Sequence, residues 1–473
     1  MPPLPRYAMT AIKKARSHEI DMTRGALLSK ILLFTLPVIG SSLLQLLFNT
    51  VDMIVVGRFE GDAALGAVGT TSSLVNLINA LFIGLSTGSG ACVSVAIGAR
   101  HDRDTSDLVH TAMTTALISG GILALVGYFG APLFLSWMNI DESLIGMSID
   151  YLRIYFLGAP FIMLYNFGFS IMRTLGDTRR PLYYIMFAGA ANVGFNLLFV
   201  LVFGLGVVGV ALGTVISFAI SATLVIRALR RYENACRFSF RHLRVRPSCL
   251  FDIMRIGIPA GFRGILFGIS NTMLQASVNS LGPEATSGNA AAAQLESLLY
   301  VIVAGFAQTT TFFIGQNYGA GCFRRVRRAL FICIGLSASA GVVFGSFFLA
   351  LREPLIAIYL PEAPDAALLA YDRMKAAMLL YFLEGTMEAL SGALQGIKVS
   401  LMPTLMMIGG ICGLRLLWIF LVFPLPEFHS LYGLFLCYPI SWALTAGILG
   451  IMVVYFFRKK APLSADREAA LTA

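Results

Sequence analysis

Charge is scarce in this chain. Asp, Glu, Lys and Arg make up 13% of its 473 residues, about half the share of a soluble globular domain. Acids are scarcer than bases, 25 against 35, and the five histidines are scattered. With no HExxH pair and no Cys/His cluster, a metal site has no support. No GxxxxGK[ST] stretch exists to cradle nucleotide phosphates, which excludes an ATP-driven pump built on this chain alone. The seven cysteines form no CxxC pair and read as reduced packing residues. No catalytic constellation emerges, so neither an enzyme nor a cofactor is expected.

What the chain has instead is apolar length. Hydrophobic residues make up 57%, with a mean hydropathy of +0.78. Twelve stretches are each long enough to cross about 30 Å of hydrocarbon as a helix. They lie near 31–57, 63–90, 107–135, 151–174, 182–204, 208–230, 253–281, 287–314, 328–350, 370–395, 403–423 and 431–457. The fold class expected is an all-α integral membrane protein of twelve transmembrane helices. Of the 35 Lys and Arg, 28 fall in or beside the two terminal segments and the even-numbered gaps. Cytoplasmic flanks retain positive charge, which places both termini in the cytoplasm of a cell inner (plasma) membrane. The net charge of +10 is then explained by topology and by attraction to membrane lipid; no nucleic-acid partner is needed. Residues 1–24 carry Lys13, Lys14, Arg16 and Arg24 without a short apolar core and cleavage site, so span 1 itself serves as the insertion signal. Met22 is an alternative start to Met1.

The chain also repeats itself. ILLFTLP (31–37) resembles IMRIGIP (253–259), AIGARHDRDTSDLVHTA (96–112) lines up with FIGQNYGAGCFRRVRRA (313–329), and GVALGTVISFAISA (209–222) matches GLFLCYPISWALTA (433–446). The offsets are 222, 217 and 224. A near-constant offset means a six-span unit duplicated in tandem, and six is even, so the halves are parallel repeats about an axis along the membrane normal. The expected divisions are an N-terminal segment 1–30, an N-lobe 31–230, a cytoplasmic linker 231–252, a C-lobe 253–457 and a tail 458–473. The basic linker is long enough to let the two bundles rock against each other.

Asp52 stands out in LLFNTVDMIVVG (46–57). An ionisable group at such depth costs about 2.5–3.5 kcal/mol on insertion scales and is functional by default. A buried carboxyl resists ionisation, which suits it to exchange a proton. The competing reading is a neutral acid that hydrogen-bonds a neighbouring helix. Pro37, fifteen residues earlier, removes one helix hydrogen bond and permits a bend. Asn192 and Asn196 share one helix face at i, i+4. In the second half, Glu384 and Glu388 lie one turn apart, while Arg263 and Arg415 are charges buried by position that demand partners. A bridge from Glu384 or Glu388 to Arg415 is one way to supply them. Phe161, Tyr165, Phe169, Phe195, Phe267, Tyr300, Phe306 and Tyr381 are candidates to line an inter-lobe cavity whose aromatic faces attract organic cations.

These residues carry a resemblance. Pro37 followed by FNTVDMIVVGR, then SVAIGAR, IMRTLGDTRRP, GLGVVGVALGT and IGQNYGAG, in this order and duplicated over about 30–457, resembles the multidrug and toxic compound extrusion (MATE) family. The resemblance implies two six-helix lobes that expel amphipathic or cationic compounds in exchange for protons or sodium. Asp52 matches the acid in span 1 of the branch whose N-lobe binds the coupling cation, and Asn166, Asn192 and Asn196 match its partners. Asn196 replaces that branch's aspartate, which leans towards protons, with sodium the alternative. Glu384 matches the span 10 acid of the NorM-type branch. That branch's span 7 acid is missing, its place falling near Phe267, and Glu296 in span 8 is a substitute candidate. The function expected is a secondary active efflux transporter of small molecules working by alternating access, as a monomer. A lipid-linked saccharide flippase of the same superfamily is the alternative, kept open by Arg263 and Arg415.

Overall fold

A computed structural model describes residues 19–138 and 142–460, and no strand occurs among them. The first half runs through span 1 (Leu27–Phe59), span 2 (Gly61–Gly98) and span 3 (Asp102–Trp137). Span 4 is a pair, Leu144–Leu157 and Ala159–Thr174, bent by 47°. Span 5 (Arg179–Val202) and span 6 (Gly206–Arg231) complete it. The second half repeats the order with span 7 (Pro247–Asn279), span 8 (Pro283–Gly319) and span 9 (Phe323–Ala350). Span 10 is again in two pieces, Pro364–Ala377 and Tyr381–Gly396, followed by span 11 (Leu401–Val422) and span 12 (Leu431–Lys459). Ten described helices are long and apolar enough to cross a bilayer singly, and the bent span 4 makes eleven. Span 10 is the twelfth by its place in the repeat. Its first piece carries Asp372, Arg373 and Lys375, too much charge to stand out as apolar.

Corresponding helices in the two halves start 220 to 225 residues apart, so the duplication in sequence is a duplication of shape. The breaks have local causes. Span 4 restarts just before Pro160, whose missing N–H is harmless in a first turn. Span 10 breaks where span 9 presses closest: a Cβ on Gly345 would lie 2.1 Å from the Met378 carbonyl, and one on Gly341 2.8 Å from the Phe382 nitrogen.

The lobes meet along a seam of small residues. A Cβ on Gly84 of span 2 would lie 2.2 Å from the Gly261 nitrogen of span 7, and one on Gly88 2.6 Å from the Gly257 nitrogen. Only glycine lets these backbones touch. Further along, towards the face that bears the chain termini, Gly319 of span 8 comes as close to the Val95 carbonyl of span 2.

Several sequence expectations need correction. Most helices run past the apolar edges drawn for them, and span 10 is not the single helix 370–395. The linker is also shorter than 231–252: span 6 continues to Arg231 and Pro247 opens span 7, so the connection is 232–246. Nor is it a slack hinge. Tyr232 donates to Asp177 Oδ2 at 2.9 Å, Phe238 N donates to Leu229 O at 3.1 Å, and Ser239 N donates to His110 Nε2 at 3.2 Å. Arg244 and Arg246 both pair with Asp107, which is fully buried. Burial, reinforced by Asp177, pushes the Tyr232 hydroxyl up, so it stays a donor. Burial also pushes the Cys236 thiol of the linker up and leaves it unreactive.

The N-terminal segment is likewise docked over its described part. Met22 is fully buried in a cluster with Phe34, Phe312 and Phe313. Its carbonyl accepts from Asn317 Nδ2 at 3.1 Å and Arg325 Nη2 at 3.2 Å. At the other side of this strap, Gly176 turns with φ +77° and its Cα lies against the Ile20 backbone. Glu19, near Asp177, has its carboxyl raised above the usual range, by partial loss of solvent first and by the Asp177 charge second. Residues 1–18 and 461–473, most of the expected terminal segments, lie outside the described residues.

Candidate functional site

The first lobe encloses a cavity of about 560 Å³ lined from spans 1, 2, 4, 5 and 6. Among the described residues Asp52 is its only carboxylate, and no Lys or Arg lines it. Asn196 Nδ2 donates to Asp52 Oδ1 at 2.6 Å and reaches Asn192 Oδ1 at 3.5 Å. Asn192 Nδ2 donates in turn to Thr214 Oγ1 at 3.4 Å. Span 5 can place both asparagines because they are four residues apart. A Cβ on Gly213 of span 6 would fall 2.0 Å from Asn196 Oδ1, so span 6 yields room for that amide. Asn196 Oδ1 is buried without a hydrogen-bond partner among the described residues. Asn166 lines the same cavity, but its Nδ2 donates to Ile162 O of its own helix at 2.9 Å. The structure therefore brings Asp52, Asn192 and Asn196 into one chain of contacts, and Asn166 onto the wall of the same cavity.

Other lining groups were missed in the sequence. Gln45, Asn49 and Asp52 are spaced i, i+4, i+7 on span 1, and Ser72, Asn76 and Asn79 repeat that stripe on span 2. Tyr151 and Tyr155 stack 6.3 Å apart, and Tyr155 accepts from Asn79 Nδ2 at 3.1 Å. The signal was available as polar residues at helical spacing inside an apolar run. Pro37 lies inside span 1, fifteen residues from Asp52.

The aromatic candidates separate. Tyr165 lines the cavity and stacks on Phe218 at 5.6 Å. Phe169 is buried behind Tyr165 at 5.4 Å, and Phe195 stacks on Phe199 at 5.8 Å. Neither Phe169 nor Phe195 lines the cavity. Tyr381 is 2% exposed and packed against Trp442, a core position rather than a cavity wall. Phe306 is also buried, whereas Phe161 and Tyr300 are exposed.

In the second lobe the charges pair differently from expectation. Arg263 Nη1 lies 3.3 Å from Glu388 Oε1 and 3.2 Å from Ser391 Oγ, with its guanidinium 5.9 Å from the Phe267 ring. Arg415 does not bridge to either glutamate: it donates to Asn271 Oδ1 at 3.1 Å and lies 3.9 Å over the Tyr438 ring. Glu296 is no spare carboxyl, because Arg373 pairs with it and also donates to Asn289. Arg373, which the sequence did not single out, is 7% exposed because the break in span 10 lays Pro364–Ala377 against span 8. Glu384 is left with Oε2 buried and without a hydrogen-bond partner among the described residues.

The lobes are joined on the terminus-bearing face by polar contacts as well. Arg173 Nη1 donates to Gln308 Oε1 at 2.7 Å, and the Thr35 and Thr309 hydroxyls lie 2.8 Å apart. Gln316 Nε2 donates to the Thr174 carbonyl. Gln316 and Asn317 of GQNYGAG are thus contacts between segments.

Two six-span bundles touching along a glycine seam, one of them hollowed by a polar cavity, define the architecture of a membrane transporter. The chain belongs to the MatE family: the family model matches residues 37–198 and again 259–421, one copy per half. It is 26% identical over 437 residues to the "Probable multidrug resistance protein YoeA" of Bacillus subtilis (strain 168), covering 90% of this chain and 94% of that one. It is 27% identical over 298 residues to the "FAD transporter" of Shewanella oneidensis, covering 61% and 64%. A solved multidrug resistance MATE family transporter of the MOP superfamily, in an outward-facing conformation, has the same fold, with a TM-score of 0.85 at 20% identity over 94% of this chain and 99% of that one.

Proposed function

We propose that this chain is a secondary active efflux transporter that exports amphipathic or cationic small molecules by proton antiport with alternating access, its termini in the cytoplasm and its working unit a monomer. The observation that carries the reading is the cavity around Asp52: one carboxylate, no lining cation, and a wall of amides, hydroxyls and tyrosine rings. Such a cavity attracts an organic cation through its charge and its aromatic faces. A proton on Asp52 removes that charge while the bond from Asn196 persists, so proton and substrate compete for one group. Competition of this kind is the minimal device for exchange, a two-state site biased by one proton. With Asn196 in place of a second acid the site offers one negative charge where the sodium-binding arrangement would have two, and this supports the proton over sodium. Names among the relatives, multidrug resistance and export proteins, agree with this substrate class. The flippase alternative rested on Arg263 and Arg415, and both are engaged, by Glu388 and by Asn271.

The test is transport by the purified protein in proteoliposomes with an imposed pH or sodium gradient and a fluorescent organic cation as substrate. A pH gradient alone is expected to drive accumulation. Accumulation driven by sodium alone, with none driven by protons, overturns the coupling assignment.

A further inference from the structure

Outside the Asp52 cavity, a second concavity lies where span 6 ends and the connection 232–246 folds back over it. It measures about 1240 Å³ and is lined by Arg227, Arg230, Arg231, Arg237, Arg241 and Arg244, with no Asp or Glu on its wall among the described residues. Nor do the eighteen residues ahead of Glu19 hold any Asp or Glu that could neutralise it. Basic loops on this face are expected from topology alone; a preformed concave cluster is not. The backbone that shapes it is fixed from beneath by buried Phe238, by the bond from Ser239 to His110, and by the two arginine pairs to Asp107.

Arg244 is turned to Asp107, but the other guanidinium groups around the hollow repel one another unless an anion sits among them, and arginine's fork matches phosphate oxygens. The surroundings say which phosphate. Phe240 on its wall is 51% exposed, and Leu243 and Val245, on either side of the lining Arg244, are 40% and 37% exposed. Arg230 lies 5.8 Å over the Phe240 ring. A soluble phosphate has no use for an apolar rim, whereas a lipid brings acyl chains to cover it. We propose that this hollow is a binding site for the headgroup of an anionic phospholipid, held by Arg230, Arg237 and Arg241, with the apolar rim set into the acyl boundary. The site is separate from the Asp52 cavity and does not depend on the coupling ion.

The full chain, purified in detergent, is titrated with phosphatidylglycerol, phosphatidylcholine or inorganic pyrophosphate, and bound species are read by native mass spectrometry. Two triple variants are compared. Arg230→Gln/Arg237→Gln/Arg241→Gln removes charge from the hollow, and Arg324→Gln/Arg327→Gln/Arg328→Gln removes as much from the basic first turns of span 9. Chromatographic elution and melting temperature verify that both fold. Phosphatidylglycerol is expected to bind the unaltered protein well ahead of phosphatidylcholine and pyrophosphate. The hollow variant is expected to weaken that binding on the order of a hundredfold, from three basic side chains near a membrane surface, and the span 9 variant by no more than about threefold. Equal losses in the two variants would mean diffuse surface charge and overturn the site. Equal binding of the two lipids, or saturation by pyrophosphate with no preference for lipid, overturns the headgroup.

Discussion

Asp52 makes one short hydrogen bond, from an amide that would bond equally well to an amide in its place. Asp52→Asn is therefore expected to change stability by less than about 1 kcal/mol, the size of one neutral hydrogen bond. Gradient-driven efflux should fall to background, because asparagine cannot take up or release a proton. Efflux from cells at matched membrane expression, with a melting curve of purified protein, checks both halves; undiminished efflux would show that Asp52 is packing. The second lobe behaves in the opposite way. Glu388→Gln strands the Arg263 guanidinium and should destabilise by about 3–5 kcal/mol, the effect of breaking a buried pair. Adding Arg263→Met should restore most of that loss, which denaturant melts of the two variants would reveal. Glu384→Gln breaks no ion pair and should leave stability nearly unchanged while reducing transport less than Asp52→Asn. Asp52 was legible in the sequence because a lone acid in an apolar run has few explanations. The Arg373–Glu296 pair was not, since nothing local shows that span 10 breaks and folds an apparently peripheral arginine inward.

At the scale of elements, the glycine seam and the two broken spans set how the bundles can move. Gly84 and Gly88 on span 2 and Gly257 and Gly261 on span 7 hold the backbones in contact, leaving no side chains between them to interlock. Gly84→Leu is expected to wedge the seam apart. Spin labels on the terminus-bearing ends of spans 2 and 8 should then report a longer separation, and transport should fall severalfold; an unchanged separation would mean that the seam plays no part in closure. Twelve spans and their duplication could be read from apolar length and a repeat offset, because those depend only on local composition. Docking of the linker and of the strap at residues 19–26 could not, since both rest on partners more than 50 residues away, such as Asp177 for Tyr232 and Asn317 for Met22.

At the scale of the whole molecule, the terminus-bearing face is closed by Arg173 to Gln308, by Thr35 to Thr309 and by the strap, so access to that face requires these contacts to part. Thr35→Cys with Thr309→Cys, in a background without the seven native cysteines, is expected to cross-link under oxidation and arrest transport, with recovery on reduction. Continued transport by the fully cross-linked protein would show that these two helices need not separate.

A solitary carboxylate in the cavity also decides what form of energy the carrier can use. If its occupant alternates between one proton and one monovalent cation, the site carries the same charge on both journeys, and membrane voltage does no net work over a cycle. Only the difference in pH is then available, about tenfold in substrate gradient for each pH unit. A divalent substrate would move one surplus charge inside to out, and a neutral one would leave the proton's charge uncompensated. Current recorded from protein on a supported membrane should accordingly vanish for singly charged substrates and take opposite signs for doubly charged and uncharged ones.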